Sequence, residues 1–232
     1  DAAAQRTPFT REALQRIGTL VDPEWTPAAR DAFLDLLAAG RGAIPVFEAL
    51  DNEGVLELLF PEWAQVRARP QRNAYHRFTV DRHLWEATAN AADLAERVHR
   101  PDLLVLGALL HDIGKSKFPE NFKELPEKEQ KKILRQHPQF GVDLLASKKF
   151  ITPGVLRLVY EHEEIGEAEG YPEKKLFGSL TTTSQILSLC NHFDQYSRTN
   201  NIPPVQQMKD FFQLKAQLFD LDLIADRLSL PL

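Results

Sequence analysis

The stretch that most constrains this chain is "LLVLGALLHDIGK", residues 103–115. Eight residues without a polar side chain lead directly into His111 and Asp112. A helix that is apolar on every side belongs in the middle of a core. Its end then carries an imidazole and a carboxylate into that core. Such a pair is costly to bury unless a cation joins it. A metal ion fits both groups, so the question becomes whether the chain supplies further ligands.

The remainder reads as helices almost throughout, because alternating β-branched runs are essentially absent. In "DPEWTPAARDAFLDLLAAG", Thr26 is the expected N-cap, Pro27 the first helical residue and Gly40 the stop. "DNEGVLELLFPEWAQV" gives a short helix pair broken at Pro61, and "RARPQRNAYHRF" is a polar connector. A long helix is expected from Thr79 to His99, with Leu84, Ala87, Ala91, Leu94 and Val98 on one stripe. Pro101 ends it, and the buried helix Asp102–His111 follows. Further helices are expected in "HPQFGVDLLAS" with Pro138 at the first position, "TPGVLRLVYEHEE" capped by Thr152, "LTTTSQILSLCNHFDQYS", and "PVQQMKDFFQLKAQLFDLDLIADRL". The fold class is all-α. Residues 1–72 read as a helical lead-in packed on the core, and residues 73–232 as the main domain.

Composition narrows the function. A chain of 232 residues with 43% hydrophobic content can bury one substantial core. The net charge of −5 argues against a nucleic-acid polymer as partner. Cys190 is the single cysteine, which excludes an internal disulfide and a cysteine zinc cluster and fits a reducing cytoplasm. No apolar run reaches the about 18 residues that a membrane helix needs. The start, "DAAAQRTPF", lacks an initiator Met and reads as an excised fragment. No lysine precedes Lys115, whereas from there on lysine outnumbers arginine twelve to four. A switch this abrupt points to a fusion of two relatives at residues 111–117.

Several polar residues fall on or beside apolar faces. His83 flanks the stripe of its helix; taken alone, it reads as a half-buried surface histidine. Asp194 follows Thr183, Ile186, Leu187, Cys190 and Phe193 at helical steps, so a carboxylate lies on or beside a buried face. His137 starts a helix, and His162 closes another in register with Leu158; each also has an ordinary reading as a cap or a partner of the helix dipole. Imidazoles and carboxylates without thiolate suit Mn, Fe, Zn, Ni or Mg. One aspartate can bridge two ions about 3.5–4 Å apart, and such pairs clamp a phosphoryl group. His76 lies in the polar connector at a possible site entrance. His99 reads as a cap, His192 as pointing elsewhere on its helix, Cys190 as core and "KEQKK" as a solvated face.

The order His83, His111-Asp112, Asp194 resembles the HD superfamily of all-helical metal-dependent phosphohydrolases. "AYHRFTVDRHLWEATA" through "LLVLGALLHDIGK" is similar to the HD domain of the bacterial PII uridylyltransferase/uridylyl-removing enzyme. "HDIGK", "HPQFGVDLL", "HEEIGEAEGYP" and "NHFDQYS" resemble an HD-GYP phosphodiesterase. The resemblance implies that His83, His111, Asp112 and Asp194 hold a first divalent ion and that Asp112 bridges to a second. His137 and His162 would hold that second ion, with Glu163 as a further ligand. It implies that Lys115 binds phosphate or steadies the leaving oxygen, that Tyr171 lines the substrate site, and that a metal-bound hydroxide attacks phosphorus. The chain departs from HD-GYP sequences at Glu163, where a second histidine is usual, and at Glu167 and Ala168 in the loop. It departs again at Thr79, where a Glu would support a third ion, and at Glu86, where an Arg often meets the substrate phosphate. The expected function is therefore a binuclear phosphodiesterase acting on a small phosphodiester or a cyclic nucleotide, with the PII-type protein as a further candidate partner. A catalytically impaired regulatory module and a di-iron HD oxygenase are the alternatives.

Overall fold

In the computed structural model the described residues are 2–5, 9–19, 24–69, 79–166, 169–199, 206, 209–211 and 213. Among them no strand forms. The described residues of the N-terminal segment form the α-helices α1 (Ala2–Gln5), α2 (Arg11–Ile17), α3 (Pro27–Ala38), α4 (Ile44–Asn52) and α5 (Val55–Leu59). The site-bearing part follows with α6 (Val80–Asp93), α7 (Pro101–Leu110), α8 (Glu127–Leu134), α9 (His137–Leu145), α10 (Pro153–Glu161) and α11 (Thr182–Thr199). Most of the expected C-terminal helical segment lies outside the described residues, as does the connector at residues 70–78.

Local chemistry accounts for the helix ends. Thr26 accepts the Ala29 N–H at 3.1 Å through its hydroxyl, and Pro27 occupies the first turn, where a missing N–H costs nothing. Helix α6 is shorter than its stripe suggested, stopping at Asp93 instead of His99. A 3-10 turn, Ala95–Arg97, follows, and Val98 is extended at φ −122° and ψ 152°. Arg100 precedes a proline, which disfavours helical backbone there, and it adopts φ −133° and ψ 73°. The chain thus reverses before Pro101 and enters α7.

Helix α7 is the centre of the molecule, packed against α6, α10, α3 and α11. Leu104, Leu109 and Leu110 are fully buried. Truncating any one to alanine in such a position costs about 2–5 kcal/mol. The lead-in contributes to the same cluster through Phe33, Leu37, Phe47, Phe60 and Trp63. Trp25 stacks on Phe150 with ring centroids 4.0 Å apart. The buried Trp63 indole donates to Asp51 Oδ1 at 2.9 Å, and Arg67 donates to the other oxygen of Asp51.

One lead-in residue reaches the HDIGK turn itself. Arg69 donates to the carbonyls of Lys115 (2.9 Å) and Phe118 (3.1 Å), clasping the 3-10 turn Ile113–Lys117 from outside. Hydrogen bonds from a charged donor contribute about 1.5–3 kcal/mol each. Arg69→Ala is expected to destabilise the protein by at least about 2 kcal/mol in urea unfolding. Arg69→Lys, a single point donor without the planar fork, should recover only part of that. A variant as stable as the parent would show that the clasp contributes nothing.

Candidate metal centre

Three helix ends and the first turn of α6 converge at the end of α7. His111 and Asp112 sit where α7 gives way to the turn, His137 opens α9, His162 closes α10, and His83 comes from the first turn of α6. All five side chains are buried; His137 and His162 show no exposed surface at all. The turn and α9 meet without a gap: a Cβ on Gly114 would lie 2.0 Å from the His137 carbonyl oxygen and 2.6 Å from the Gly141 nitrogen. Glycine is required there by close approach, and that approach sets His137 beside Asp112.

One device fixes three of the rings. His111, His137 and His162 each direct Nδ1 at the carbonyl three residues earlier, Ala108, Leu134 and Val159, at 2.8, 2.6 and 2.7 Å. With the proton on Nδ1, each Nε2 is a bare lone pair facing inward. The Nε2 atoms of His137 and His162 are 2.8 Å apart, and Asp112 Oδ1 is 3.1 Å from the first and 3.7 Å from the second. Three acceptor atoms therefore meet without a donor among them. On the other side, Asp112 Oδ2 lies 3.5 Å from His111 Nε2 and 3.7 Å from His83 Nε2. Both the His111 Nε2 and the Asp112 Oδ1 are buried without a hydrogen bond. Bonds of about 2.0–2.2 Å to a divalent ion place neighbouring ligand atoms about 3–3.5 Å apart, so both sets fit a metal. Asp112 belongs to both: His83–His111–Asp112 and Asp112–His137–His162.

The surroundings are as ordered as the rings. Lys115 ion-pairs with Asp112 Oδ2. Asp194 stands behind the first set, its Oδ2 3.1 Å from His83 Nδ1, the nitrogen other than the one facing Asp112. Asp194, expected from the sequence to hold the first ion, meets that set at His83. Glu163, also buried, has Oε1 3.8 Å from His162 Nε2 and 4.0 Å from His137 Nε2. Tyr171 edges toward His137 with ring centroids 6.1 Å apart. Its loop is drawn in because Glu164 accepts the main-chain N–H groups of Glu173 and Lys175 at 2.6 and 2.8 Å. Gly170 allows this, since a Cβ there would come within 2.5 Å of the Glu164 backbone.

Of the residues singled out from sequence, His83, His111, Asp112, Lys115, His137, His162, Glu163, Tyr171 and Asp194 lie in or around this cluster. His76, Glu167 and Ala168 lie outside the described residues. Glu86 accepts from Arg41 and Arg82, at 3.1 and 3.0 Å, in a surface network. His192 departs from its expected placement: its Nε2 is 3.5 Å from Glu163 Oε2. Asn191 was also missed. Its side-chain nitrogen is buried without a hydrogen bond, beside a small cavity of about 30 Å³ shared with His83, His111, Cys190 and Asp194. Cys190 is half-buried there, its thiol pushed up to about 12 by burial and then by Asp194.

Burial holds the His111 imidazole down to about 3, and it lowers His137 as well. For Asp112, burial acts upward, but Lys115 and His111 outweigh it and keep the carboxyl well below its usual range. Glu163 is brought down to about 2 in the same way, against burial, by His192, His162 and His137. In the unfolded chain histidines take up a proton near pH 6.5, while the folded rings stay neutral. The unfolded state then binds more protons, so stability falls as pH drops below about 6.5. The metal-free protein should lose about tenfold in its folding equilibrium per pH unit for each such histidine. Below about pH 4 the depressed carboxylates add to the loss. Urea unfolding of chelator-treated protein between pH 8 and 5 checks this; a flat profile would contradict it.

The comparisons agree with this geometry. The HD domain family model matches residues 80–206. Over 118 residues, the chain is 50% identical to the bifunctional uridylyltransferase/uridylyl-removing enzyme of Streptomyces coelicolor, covering 49% of this chain and 14% of that protein. The corresponding enzyme of Corynebacterium glutamicum is 33% identical over 53% of this chain and 15% of its own length. The chain thus spans a small part of the curated relatives it matches. Among solved structures, Bd1817, an HDG"Y"P protein from Bdellovibrio bacteriovorus, superposes with a TM-score of 0.57. That match is 18% identical and covers 97% of this chain and 66% of the other, and it shows a shared fold. With the family model spanning more than half the chain and the His–Asp pair at the centre of its buried cluster, this protein belongs to the HD domain family.

Proposed function

We propose that the chain is a metal-dependent phosphodiesterase with two divalent ions, acting on a small phosphodiester or a cyclic nucleotide. The observation that carries this reading is the sharing of Asp112 between two sets of inward-facing ligand atoms. His83, His111 and Asp112 would hold one ion, and Asp112, His137 and His162 the other, with Asp194 steadying His83. Imidazole and carboxylate donors without thiolate suit Mn, Fe, Zn or Ni. Bound there, such ions supply Lewis acidity and an activated water at neutral pH.

The protein's own groups do the rest. The Nδ1–H bonds to main-chain carbonyls fix the ring orientations, so no reorganisation is needed as charge develops. Lys115 carries a cation beside the Asp112 carboxylate, where it would meet an oxygen of a bound phosphoryl group. Tyr171, on its fastened loop, forms one wall. Glu86 is engaged by two arginines and offers no cation for a second phosphate, which favours a small substrate over cyclic di-GMP. Lys115 beside the bridge favours phosphate chemistry over an impaired module or oxygen chemistry.

The test is hydrolysis of bis(p-nitrophenyl) phosphate by metal-stripped protein reloaded with Mn, Fe, Zn or Ni. Metal-dependent turnover is expected. No turnover with any metal, while two ions are bound, would overturn the phosphodiesterase reading. A second reading, removal of a uridylyl group, is favoured by the 50% identity to a uridylyl-removing enzyme over half the chain. It breaks the same kind of bond, and release of UMP from a uridylyl-tyrosine peptide would distinguish it.

A further inference from the structure

Helix α11 carries a polar stripe that the two-ion reading does not use. Ser184, Ser188, His192 and Gln195 recur at steps of four, four and three residues, so they share one helix face. Each meets the same short segment, "EHEE", residues 161–164. The Ser184 hydroxyl donates to the buried carboxylate of Glu161, and the Ser188 hydroxyl donates to the Glu164 carbonyl. His192 Nε2 is 3.5 Å from Glu163 Oε2, and the Gln195 amide donates to Glu163 Oε1 at 3.3 Å. Asp194 lies about 200° around the helix from His192 and faces His83 instead. Helix α11 thus reads the first ligand set with one face and the end of α10 with another.

His192 is oriented by the same device as the ligand histidines: its Nδ1 is 2.9 Å from the Ser188 carbonyl, which turns Nε2 toward Glu163. Glu163 in turn points Oε1 at the His137–His162 pair. A carboxylate buried at the end of a helix has several rotamers open to it, and two contacts from α11 select one.

We propose that His192, seconded by Gln195, is a positioning residue that holds Glu163 as an additional carboxylate donor for the second ion. The proposal rests on the two-ion reading above. It assigns Glu163 a partner from a different helix, and it makes the second site depend on α11 while the first depends on Asp194.

The test titrates metal-free protein with Co(II), reading ligand-field absorption and calorimetric heats for each ion. The proteins compared are wild type, His192→Ala, His192→Gln, Glu163→Gln and the double variant His192→Ala with Glu163→Gln. Loss of a residue that orients a ligand weakens metal binding about 10–100-fold. His192→Ala is expected to weaken the second ion by that factor, change its absorption band and leave the first ion unaltered. His192→Gln, which keeps a donor, should recover part of the loss. The double variant should be no weaker than the worse single, because both changes remove one interaction. Unchanged second-ion binding in His192→Ala, equal weakening of both ions, or losses that multiply in the double variant would each overturn the proposal. Wild type that takes up one ion or none would overturn the two-ion reading itself, before any variant is compared.

Discussion

Replacing Asp112 by alanine is expected to abolish binding of both ions and to lower phosphodiester turnover by at least about 10³-fold. No other single change in the cluster should do as much. Removing His83 or His111 takes a ligand from one set, and removing His137 or His162 takes one from the other; only Asp112 belongs to both. The metal-free variant should still fold. In the metal-free parent, Asp112 Oδ1 is a buried oxygen without a hydrogen bond, facing imidazole lone pairs, and its removal relieves that contact. Lys115, which keeps part of its side chain at the surface, can turn its ammonium to water. Metal analysis and thermal unfolding on the same sample separate the two effects. An Asp112→Ala protein that retains one ion at parental affinity would show that the sets do not share this carboxylate.

The second large effect is expected at Gly114. An added Cβ would meet backbone atoms, the His137 carbonyl at 2.0 Å and the Gly141 nitrogen at 2.6 Å. Neither can rotate aside as the tip of a side chain would, so the start of α9 must move. Overpacking of a core costs about 1–3 kcal/mol when side chains can yield, and a backbone clash belongs at or above the top of that range. In a chain of this size, a cost of about 3 kcal/mol lowers the unfolding temperature by roughly 6–12 °C. Because the displaced residue is His137, Gly114→Ala should also lose the second ion while keeping the first. Scanning calorimetry of the metal-free form and a metal titration read the two consequences independently. Parental stability together with both ions would contradict the packing account.

The sequence made the chemistry of the centre legible where local pattern determines burial. An apolar run ending in His111 and Asp112 leaves those groups nowhere to go but inside, and the all-helical class follows from periodicity alone. Patterns are weaker where burial depends on partners distant in the chain. His83 looks half-exposed on its own helix, and it is buried because the turn after α7 and helix α11 close over it. Helix α6 stops at Asp93 and gives way to a 3-10 turn and then extended backbone before Pro101, which a stripe of apolar residues does not register. Asp194 was legible as a carboxylate beside a buried face, but its position behind His83 required the packing of α11. His192 reads from sequence as a residue outside the cluster, two positions from Asp194 on the same helix. On the helix it does face away from Asp194, and that direction leads to the end of α10. Its meaning emerges only once Glu163 is placed opposite.

The most direct test of the account is the number and coupling of ions in wild-type protein. Chelator-stripped chain titrated with Mn(II) and followed by electron paramagnetic resonance reports both at once. A shared carboxylate predicts two ions per chain and a spectrum of magnetically coupled manganese at saturation. One ion per chain, or two that behave as isolated centres, would contradict a centre built on Asp112.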